Sequence, residues 1–261
     1  RPNQLNALSH ALLTRLSQLL HEIKHDKAIR GVLLTGEGKG FCAGADISEL
    51  KPLQGKDGLR FAEFGQHVMR QLEMLGKPSI AAIQGFAFGG GSELAMSATL
   101  RIAAEKTQFG QPEIKLGVIP GFGGTQRLSR LIGKGRALDI CLSGRRFSAE
   151  EAWQWGYVNE VVSQDTLLQR ATERLQELVQ FSPVALQSII TTIHEGYDIG
   201  LNEALALEAS HFGLCCTTKD KAEGVSAFNC PRASQGGNDG QRRQSEGRGQ
   251  LRRRRRPGWR R

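Results

Sequence analysis

Apolar residues follow two different spacings along the chain. Over residues 8–23, and again over 61–75 ("FAEFGQHVMRQLEML"), they recur every three or four positions, as in an amphipathic helix. Between and after these segments lie short continuous apolar runs, "VLL" at 32–34, "SIAAI" at 79–83 and "RIAA" at 101–104. "SELAMSATL" at 92–100 predicts a helix, and "TQFGQPE" at 107–113 a loop. Short buried strands alternating with helices predict an α/β domain with a mostly parallel sheet.

After residue 133 the pattern becomes helical, and no further strand is predicted. "SAEE" at 148–151 is a capping box, a motif that starts a helix. Ser182 and Pro183 predict the start of another helix, because proline loses no hydrogen bond at the first helical position. Helical patterns continue in "LNEALALEASHFGL" and "KDKAEGVSAF". We therefore predict an α/β core over 1–180, a C-terminal helical region over 181–230 and an Arg-rich tail over 231–261.

The net charge of +9 belongs to the tail. Residues 232–261 hold eleven Arg and two acidic residues, so residues 1–231 are neutral overall. We expect the tail to be disordered, because it has too few aliphatic residues to bury. Its run of five Arg could bind phosphates in a salt-sensitive way, which makes an RNA-binding protein the alternative function class. Only Trp259 lies near the run, and no nucleic-acid-reading module is recognised, so nucleic acid is not the favoured partner.

Several classes of protein do not match the sequence. No apolar run approaches the roughly 20 residues that span a bilayer, and no signal peptide is visible, so we expect a protein of the cytoplasm or an organelle matrix. The five Cys are odd in number and lack the spacing of a metal site. We expect reduced thiols and no metal.

The stretch "GFAFGGGSELAM" at 85–96 is the first candidate for chemistry. Three glycines, Gly89 to Gly91, lie between an apolar strand and a helix, where backbone N–H groups can approach a ligand closely. A helix beginning there favours an anion. The phosphate-loop pattern GxxxxGK[ST] and the nucleophile pattern GxSxG are both absent. Judged from this stretch alone, the alternative to a ligand site is a purely structural contact, in which the glycines line the packing of the strand against the helix.

Two further segments add to this candidate site. "FCAGADI" at 41–47 is a second glycine-bearing turn after a buried strand, and loops at the ends of neighbouring parallel strands lie side by side. Together the turns could offer two N–H donors to one oxygen, as in an oxyanion hole. Glu93 and Glu113 are twenty residues apart, with a strand between them. Alone, each could be a solvated surface acid, but beside an oxyanion hole two carboxyl groups can act as general acid and base.

Long motifs occur in order over about residues 1–228: "GKGFCAGADI", "AAIQGFAFGGGSELA", "QFGQPEIKLGVIPGFGGTQRL" and "LSGRRFSAEEAWQWGYVNEVV". They resemble the crotonase (enoyl-CoA hydratase/isomerase) superfamily. The resemblance implies an α/β fold, a crotonase-like ββα superhelix with a C-terminal helical trimerisation region. It also implies a homo-oligomer, a trimer or a dimer of trimers, and an acyl-CoA thioester as substrate.

The resemblance further implies a role for individual residues. The backbone N–H groups of Ala45 and Gly90 would form the oxyanion hole, and Glu93 and Glu113 match the two glutamates of the hydratases. The implied activity is that of an enoyl-CoA hydratase without a metal or redox cofactor, with a double-bond isomerase as the alternative within the family. Residues at positions that line the CoA site in relatives are Lys39, Ala43, Asp46, Ile47 and Ser48, although Lys39 could equally be a solvated loop lysine.

Two departures from the family pattern lead to further expectations. Relatives have one or two strands before the segment that corresponds to "RPNQLNAL", so we expect the sheet to have an unpaired edge. Near the other end, "SAFNCPR" has Pro231 where relatives have a lysine that reaches the CoA phosphates. We expect this contact with CoA to be weakened.

Overall fold

Seven strands and eleven α-helices follow one another in residues 1–229, the part of the chain that the structure, a computed structural model, describes. The strands are β1 (Val32–Thr35), β2 (Ser79–Ile83), β3 (Phe86–Phe88), β4 (Leu100–Ala104), β5 (Gln108–Gly110), β6 (Arg146–Ser148) and β7 (Glu160–Val162). The helices are α1 (His10–His25), α2 (Ile47–Leu50), α3 (Gly55–Glu73), α4 (Gly90–Ser97), α5 (Gly124–Ile132), α6 (Lys134–Ser143), α7 (Ala149–Gln154), α8 (Leu167–Val179), α9 (Pro183–Gly196), α10 (Leu201–Cys216) and α11 (Lys219–Asn229).

The strands form two small sheets. Four parallel strands lie in the order β1-β2-β4-β7, and three lie in the order β3-β5-β6, in which only β6 runs antiparallel to its neighbour. β1 is an edge strand of the larger sheet. The predicted α/β architecture with a mostly parallel sheet is therefore confirmed.

The prediction that strands stop after residue 133 was wrong, since β6 and β7 both lie beyond it and β7 extends the main sheet. The predicted loop at 107–113 likewise contains β5. Each of these strands has three residues, which is too short for a periodic pattern to register. They form because a neighbouring strand supplies their hydrogen bonds.

The predicted helix starts are confirmed at the level of single hydrogen bonds. The Ser148 side chain accepts from the N–H of Glu151 at 3.2 Å, and the Glu151 carboxylate accepts from the N–H of Ser148 at 2.8 Å. Ser182 caps α9, with Pro183 at its first position. Such caps satisfy N–H groups that the helix itself leaves unpaired.

β2 explains how the core is divided. Its five residues are all buried, and they point alternately to two sides. Ala81 and Ile83 belong to a large cluster under α1, α3 and α4, whereas Ile80 and Ala82 belong to a smaller one under α8. Because both faces are covered, β2 is apolar from Ile80 to Ile83, as expected for a central parallel strand, and its first residue, Ser79, is a buried polar residue. The strands and turns that follow it are thereby held in fixed positions.

The C-terminal helices are much more exposed than the core. α10 contains no buried residue, although it carries Leu201, Leu205 and Phe212, with exposed fractions of 74%, 52% and 70%. Within residues 1–229 no helix is long and apolar enough to cross a membrane. The division of the chain at residue 180 stays a prediction. The predicted tail over 231–261, including its proposed disorder, and Pro231 lie outside the described residues.

Candidate active site

The glycine run at 89–91 adopts a conformation that requires glycine at its first position. Gly89 has φ 50° and ψ −124° and directly precedes α4, whose eight residues are all buried. A Cβ atom on Gly89 would also lie 2.6 Å from Oε1 of Glu113. The run therefore starts a buried helix and leaves space for a carboxylate against the backbone.

The turn at 41–47 brings a second backbone N–H to the start of α4. A Cβ atom on Gly90 would lie 3.2 Å from the nitrogen of Ala45, and one on Gly44, which has φ 114°, would lie 3.6 Å from the nitrogen of Gly90. Within residues 1–229 neither the N–H of Ala45 nor that of Gly90 donates to a protein acceptor. Buried N–H groups are rarely left unpaired. Two such neighbouring donors are suited to one ligand oxygen.

The segment before α1 fixes the second turn. Leu8 N–H donates to the carbonyl of Gly44 at 2.8 Å, and Leu8 C=O accepts from Asp46 at 3.0 Å, so two bonds flank Ala45. Ala43 N–H donates to Leu5 C=O at 3.0 Å. Sequence reasoning did not identify Leu8 or Leu5, because their contribution comes from the backbone and no residue type signals it.

Glu93 lies in the first turn of α4 and is 1% exposed. Its Oε1 accepts hydrogen bonds from the N–H of Phe122 at 2.8 Å and of Gly124 at 2.6 Å, at the N-terminus of α5. Burial raises the pKa of Glu93 to about 8, and the charge of Glu113 adds to this, while the two N–H donors oppose it. Glu93 is thus a fixed carboxyl group that can exchange a proton near neutral pH.

Glu113 follows Pro112 and begins one turn of 3-10 helix, Glu113–Leu116. Burial raises the pKa of Glu113 to about 7. With its amide nitrogen toward Glu113, the buried Gln111 donates to both carboxylate oxygens, at 3.1 and 3.2 Å. Sequence reasoning missed Gln111, although it stands only two residues before the acid.

The two carboxyl groups titrate as a pair. Since their pKa values are about 8 and about 7, the pair holds about one proton at a pH between these values. One carboxyl group is then a base and the other an acid. Both lie at the end of α4 where the free N–H groups of Ala45 and Gly90 meet. This geometry can stabilise negative charge on a substrate oxygen and transfer two protons nearby.

Comparison with known proteins decides the family. Residues 1–235 match the family model described as enoyl-CoA hydratase/isomerase. The chain belongs to this family. Over 229 residues it is 44% identical to the short-chain-enoyl-CoA hydratase of Clostridium acetobutylicum (87% of this chain, 88% of the relative) and 40% identical to the crotonyl-CoA hydratase of Syntrophomonas wolfei (the same shares). The solved enoyl-CoA hydratase of Bacillus anthracis superposes with a TM-score of 0.84 at 40% identity, covering 87% of this chain and 89% of that one.

Family membership confirms the superfamily and the crotonase-like fold expected from the motifs. The structure places the five predicted CoA-site residues along one stretch after β1. Asp46 caps α2, accepts from both N–H and Oγ of Ser48, and pairs with Arg1 at 2.8 Å. The hydrogen bond from Ser48, and then that from Arg1, lowers the pKa of Asp46. Ile47 is 61% exposed, Lys39 is exposed in the loop before the turn, and Ala43 is part-buried. Their contact with CoA stays a prediction.

The buried thiol next to the site is not a nucleophile. Burial raises the pKa of Cys42 to about 11, and its Sγ donates to the carbonyl of Asn6 at 3.1 Å. Within the described part of the chain no three His, Cys, Asp or Glu side chains are grouped so that they could hold a metal ion. The groups of this site that can transfer protons or stabilise charge are the two glutamates and the two N–H groups.

Proposed function

We propose that this chain is an enoyl-CoA hydratase, which adds water across the C2=C3 double bond of a trans-2-enoyl-CoA to give a 3-hydroxyacyl-CoA. One observation carries the proposal: two carboxyl groups with raised pKa values lie beside two neighbouring N–H groups that donate to no acceptor within residues 1–229. Addition of water needs a base for the water, an acid for C2 and donors for the thioester oxygen. The names of the relatives from Clostridium acetobutylicum and Syntrophomonas wolfei support the same reaction.

The N–H groups of Ala45 and Gly90 would bind the thioester oxygen. Attack at C3 moves electrons toward that oxygen, and the donors stabilise the resulting charge by about 3–4 kcal/mol each. Because Leu8 flanks Ala45 with two hydrogen bonds and Gly90 is fixed at the start of a buried helix, the donors need not reorganise during the reaction. Preorganisation of this kind lowers the barrier more than flexible donors would.

Two proton transfers complete the addition. Glu93 would take a proton from water as the oxygen bonds to C3, and protonated Glu113 would give its proton to C2. Burial raises the pKa of both groups, so that near neutral pH the pair shares about one proton. Hydration would start with a proton on Glu113 and end with a proton on Glu93, and dehydration would run in the opposite direction. The N–H donors of Phe122 and Gly124 favour the ionised form of Glu93 that hydration requires.

The proposed reaction needs no metal or redox cofactor, because it involves only proton transfer and charge stabilisation. Coenzyme A enters as part of the substrate. Isomerisation of a double bond, the other activity in the family, moves a single proton between two carbons and can proceed with one acid. The presence of both Glu93 and Glu113 favours hydration.

The decisive experiment is to mix the protein with crotonyl-CoA and follow the loss of enoyl-thioester absorbance. We expect turnover, with 3-hydroxybutyryl-CoA identified as product by mass spectrometry. But-3-enoyl-CoA, the isomer of crotonyl-CoA with a terminal double bond, serves as the isomerase substrate of the same chain length. Faster conversion of the 3-enoyl thioester, without a gain of water on crotonyl-CoA, would favour the isomerase instead.

The pH dependence of kcat/KM should be bell-shaped, with a maximum between about pH 7 and about pH 8. Below this window both carboxyl groups are protonated and no base remains. Above it both are ionised and no acid remains. Initial rates on crotonyl-CoA from about pH 5.5 to about pH 9.5 would test this, and a rate that stays constant over this whole range would contradict a shared proton.

We also propose that the chain assembles into a homo-oligomer through its C-terminal helices. The support is the apolar surface of α9 and α10, where Ile193, Leu201 and Phe212 are 62%, 74% and 70% exposed. Single exposed apolar residues are ordinary, but several large ones on two helices that pack together support a contact surface. Sedimentation equilibrium should give the mass of a trimer or hexamer, and a monomer at micromolar concentration would refute this.

A further inference from the structure

We propose that Arg127, held in place by Glu73, is a positioning residue. It fixes the two backbone N–H groups that donate to the carboxylate of Glu93. The inference rests on the proposed function, because it assigns Glu93 a part in the reaction. Arg127 lies on α5 and Glu73 is the last residue of α3, so the pair joins two helices that flank the loop at 121–124. It lies beside a cavity of about 1020 Å³ between α3, α5 and α9.

The contact between the two side chains is bidentate. Arg127 donates from Nε to Oε1 of Glu73 at 2.6 Å and from Nη2 to Oε2 at 3.0 Å. The side chains are only 16% and 10% exposed. Burial alone would raise the pKa of Glu73, but the hydrogen bond and charge of Arg127 more than offset this and hold it below its usual value. The guanidinium is therefore fixed in its plane by an ionised partner.

The remaining nitrogen of the guanidinium group points at the loop. Nη1 of Arg127 donates to the carbonyl of Phe122 at 2.7 Å. Gly123 has φ 103°, and a Cβ atom there would fall on the guanidinium. Arg127 can therefore pack against the backbone only because residue 123 is a glycine.

The bonded carbonyl lies between the two donors of Glu93. The peptide that joins Phe122 to Gly123 is flanked by the peptides that carry the N–H of Phe122 and of Gly124. The carbonyls of these flanking peptides are also held, that of Gly121 by Gln66 at 2.9 Å and that of Gly123 by the N–H of Arg127 at 2.9 Å. Among these hydrogen bonds, only the one from the side chain of Arg127 holds the peptide between Phe122 and Gly123. Its loss would let both donors turn away from Glu93.

The test compares Arg127→Met with Arg130→Met in the full chain. Arg130 is on the same helix and also forms an ion pair, with Asp198 at 3.0 Å, but its side chain bonds no carbonyl of the 121–124 loop. We expect Arg127→Met to lower kcat on crotonyl-CoA by about 10- to 100-fold with KM changed less than about threefold, since misplacing a reacting group affects the chemical step. Arg130→Met should leave kcat within about twofold.

Hydrogen exchange gives a readout that does not depend on activity. In Arg127→Met, amides in the 119–126 segment should exchange faster relative to those of 79–83, whereas Arg130→Met should leave this ratio unchanged. If Arg127→Met does not fold, Glu73→Gln replaces it, with the same expected changes. The inference would be overturned if the folded variant kept both the parental kcat and the parental amide exchange rates. It would also be overturned if exchange became faster to the same extent in both segments. A parent without hydratase activity would refute the proposed function, while the exchange ratio would still test the positioning.

Discussion

Replacing Glu113 with glutamine is expected to lower kcat on crotonyl-CoA by about 10²- to 10⁴-fold, the range of a lost general acid. The amide has nearly the same shape but no proton to give to C2. Its position should persist, because Gly89 leaves the same space and the side chain of Gln111 can still bond the amide oxygen. The loss should therefore appear in kcat, with a smaller change in KM.

The same substitution should not destabilise the protein at neutral or higher pH. The pKa of Glu113 rises from 4.5 to about 7 on folding, so the folded state binds its proton more tightly. This contribution to the free energy of unfolding is fully present below pH 4.5 and is lost as the pH rises through about 7. Above that pH the parent holds a buried charge that the glutamine variant lacks, and the Tm of the variant should equal or exceed that of the parent.

Glu150→Gln is the matched control, because within residues 1–229 the side chain of this exposed glutamate on α7 accepts a single hydrogen bond, from Gln154 at 3.4 Å. It should change neither kcat nor Tm measurably. Glu113→Gln with parental kcat would remove Glu113 from the mechanism. A large fall in both kcat and Tm would mean that the substitution acts on the fold instead of the proton transfer.

The fold could be predicted where the sequence pattern is long or continuous. β2 stands out because four of its five buried residues form a continuous apolar run, and α3 because its amphipathic pattern runs for several turns. β5, β6 and β7 have three residues each, and their pairing partners are distant in sequence. Their formation depends on hydrogen bonds from strands that no local pattern identifies.

The candidate site could be predicted to a similar extent. Its glycine turns and the glutamates at 93 and 113 stand out by residue type and by resemblance, and the structure brings them to one end of α4. Gln111 and Arg127 were missed because each acts through another residue, Gln111 through the Glu113 carboxylate and Arg127 through the Phe122 carbonyl. Whether such contacts form depends on the tertiary structure, which no local sequence pattern shows.

Gly89→Ala is the second large expected effect, a fall in kcat of about 10²- to 10³-fold. At φ 50° and ψ −124° an alanine is strained by about 1–3 kcal/mol. Its Cβ would also lie 2.6 Å from Oε1 of Glu113. The contact with Glu113 is relieved by moving that carboxyl group, and the backbone strain by a change of ψ, which rotates the peptide that carries the N–H of Gly90. Either movement removes a group that the reaction needs, and a lost oxyanion donor alone costs about 10²- to 10³-fold.

The control for Gly89→Ala is Gly135→Ala on α6, where nothing lies within 4 Å of an added Cβ and alanine is the better helix former. This variant should keep the parental kcat and an equal or slightly higher Tm. A parental kcat in Gly89→Ala would contradict the proposed geometry.

Combining Gly89→Ala with Glu113→Gln separates two causes of the lower kcat, displacement of Glu113 and rotation of the N–H of Gly90. If alanine acts by displacing Glu113, the double variant is no slower than Glu113→Gln alone. If it acts by turning the N–H of Gly90 away, the two losses multiply, because the donor and the acid stabilise different parts of the transition state.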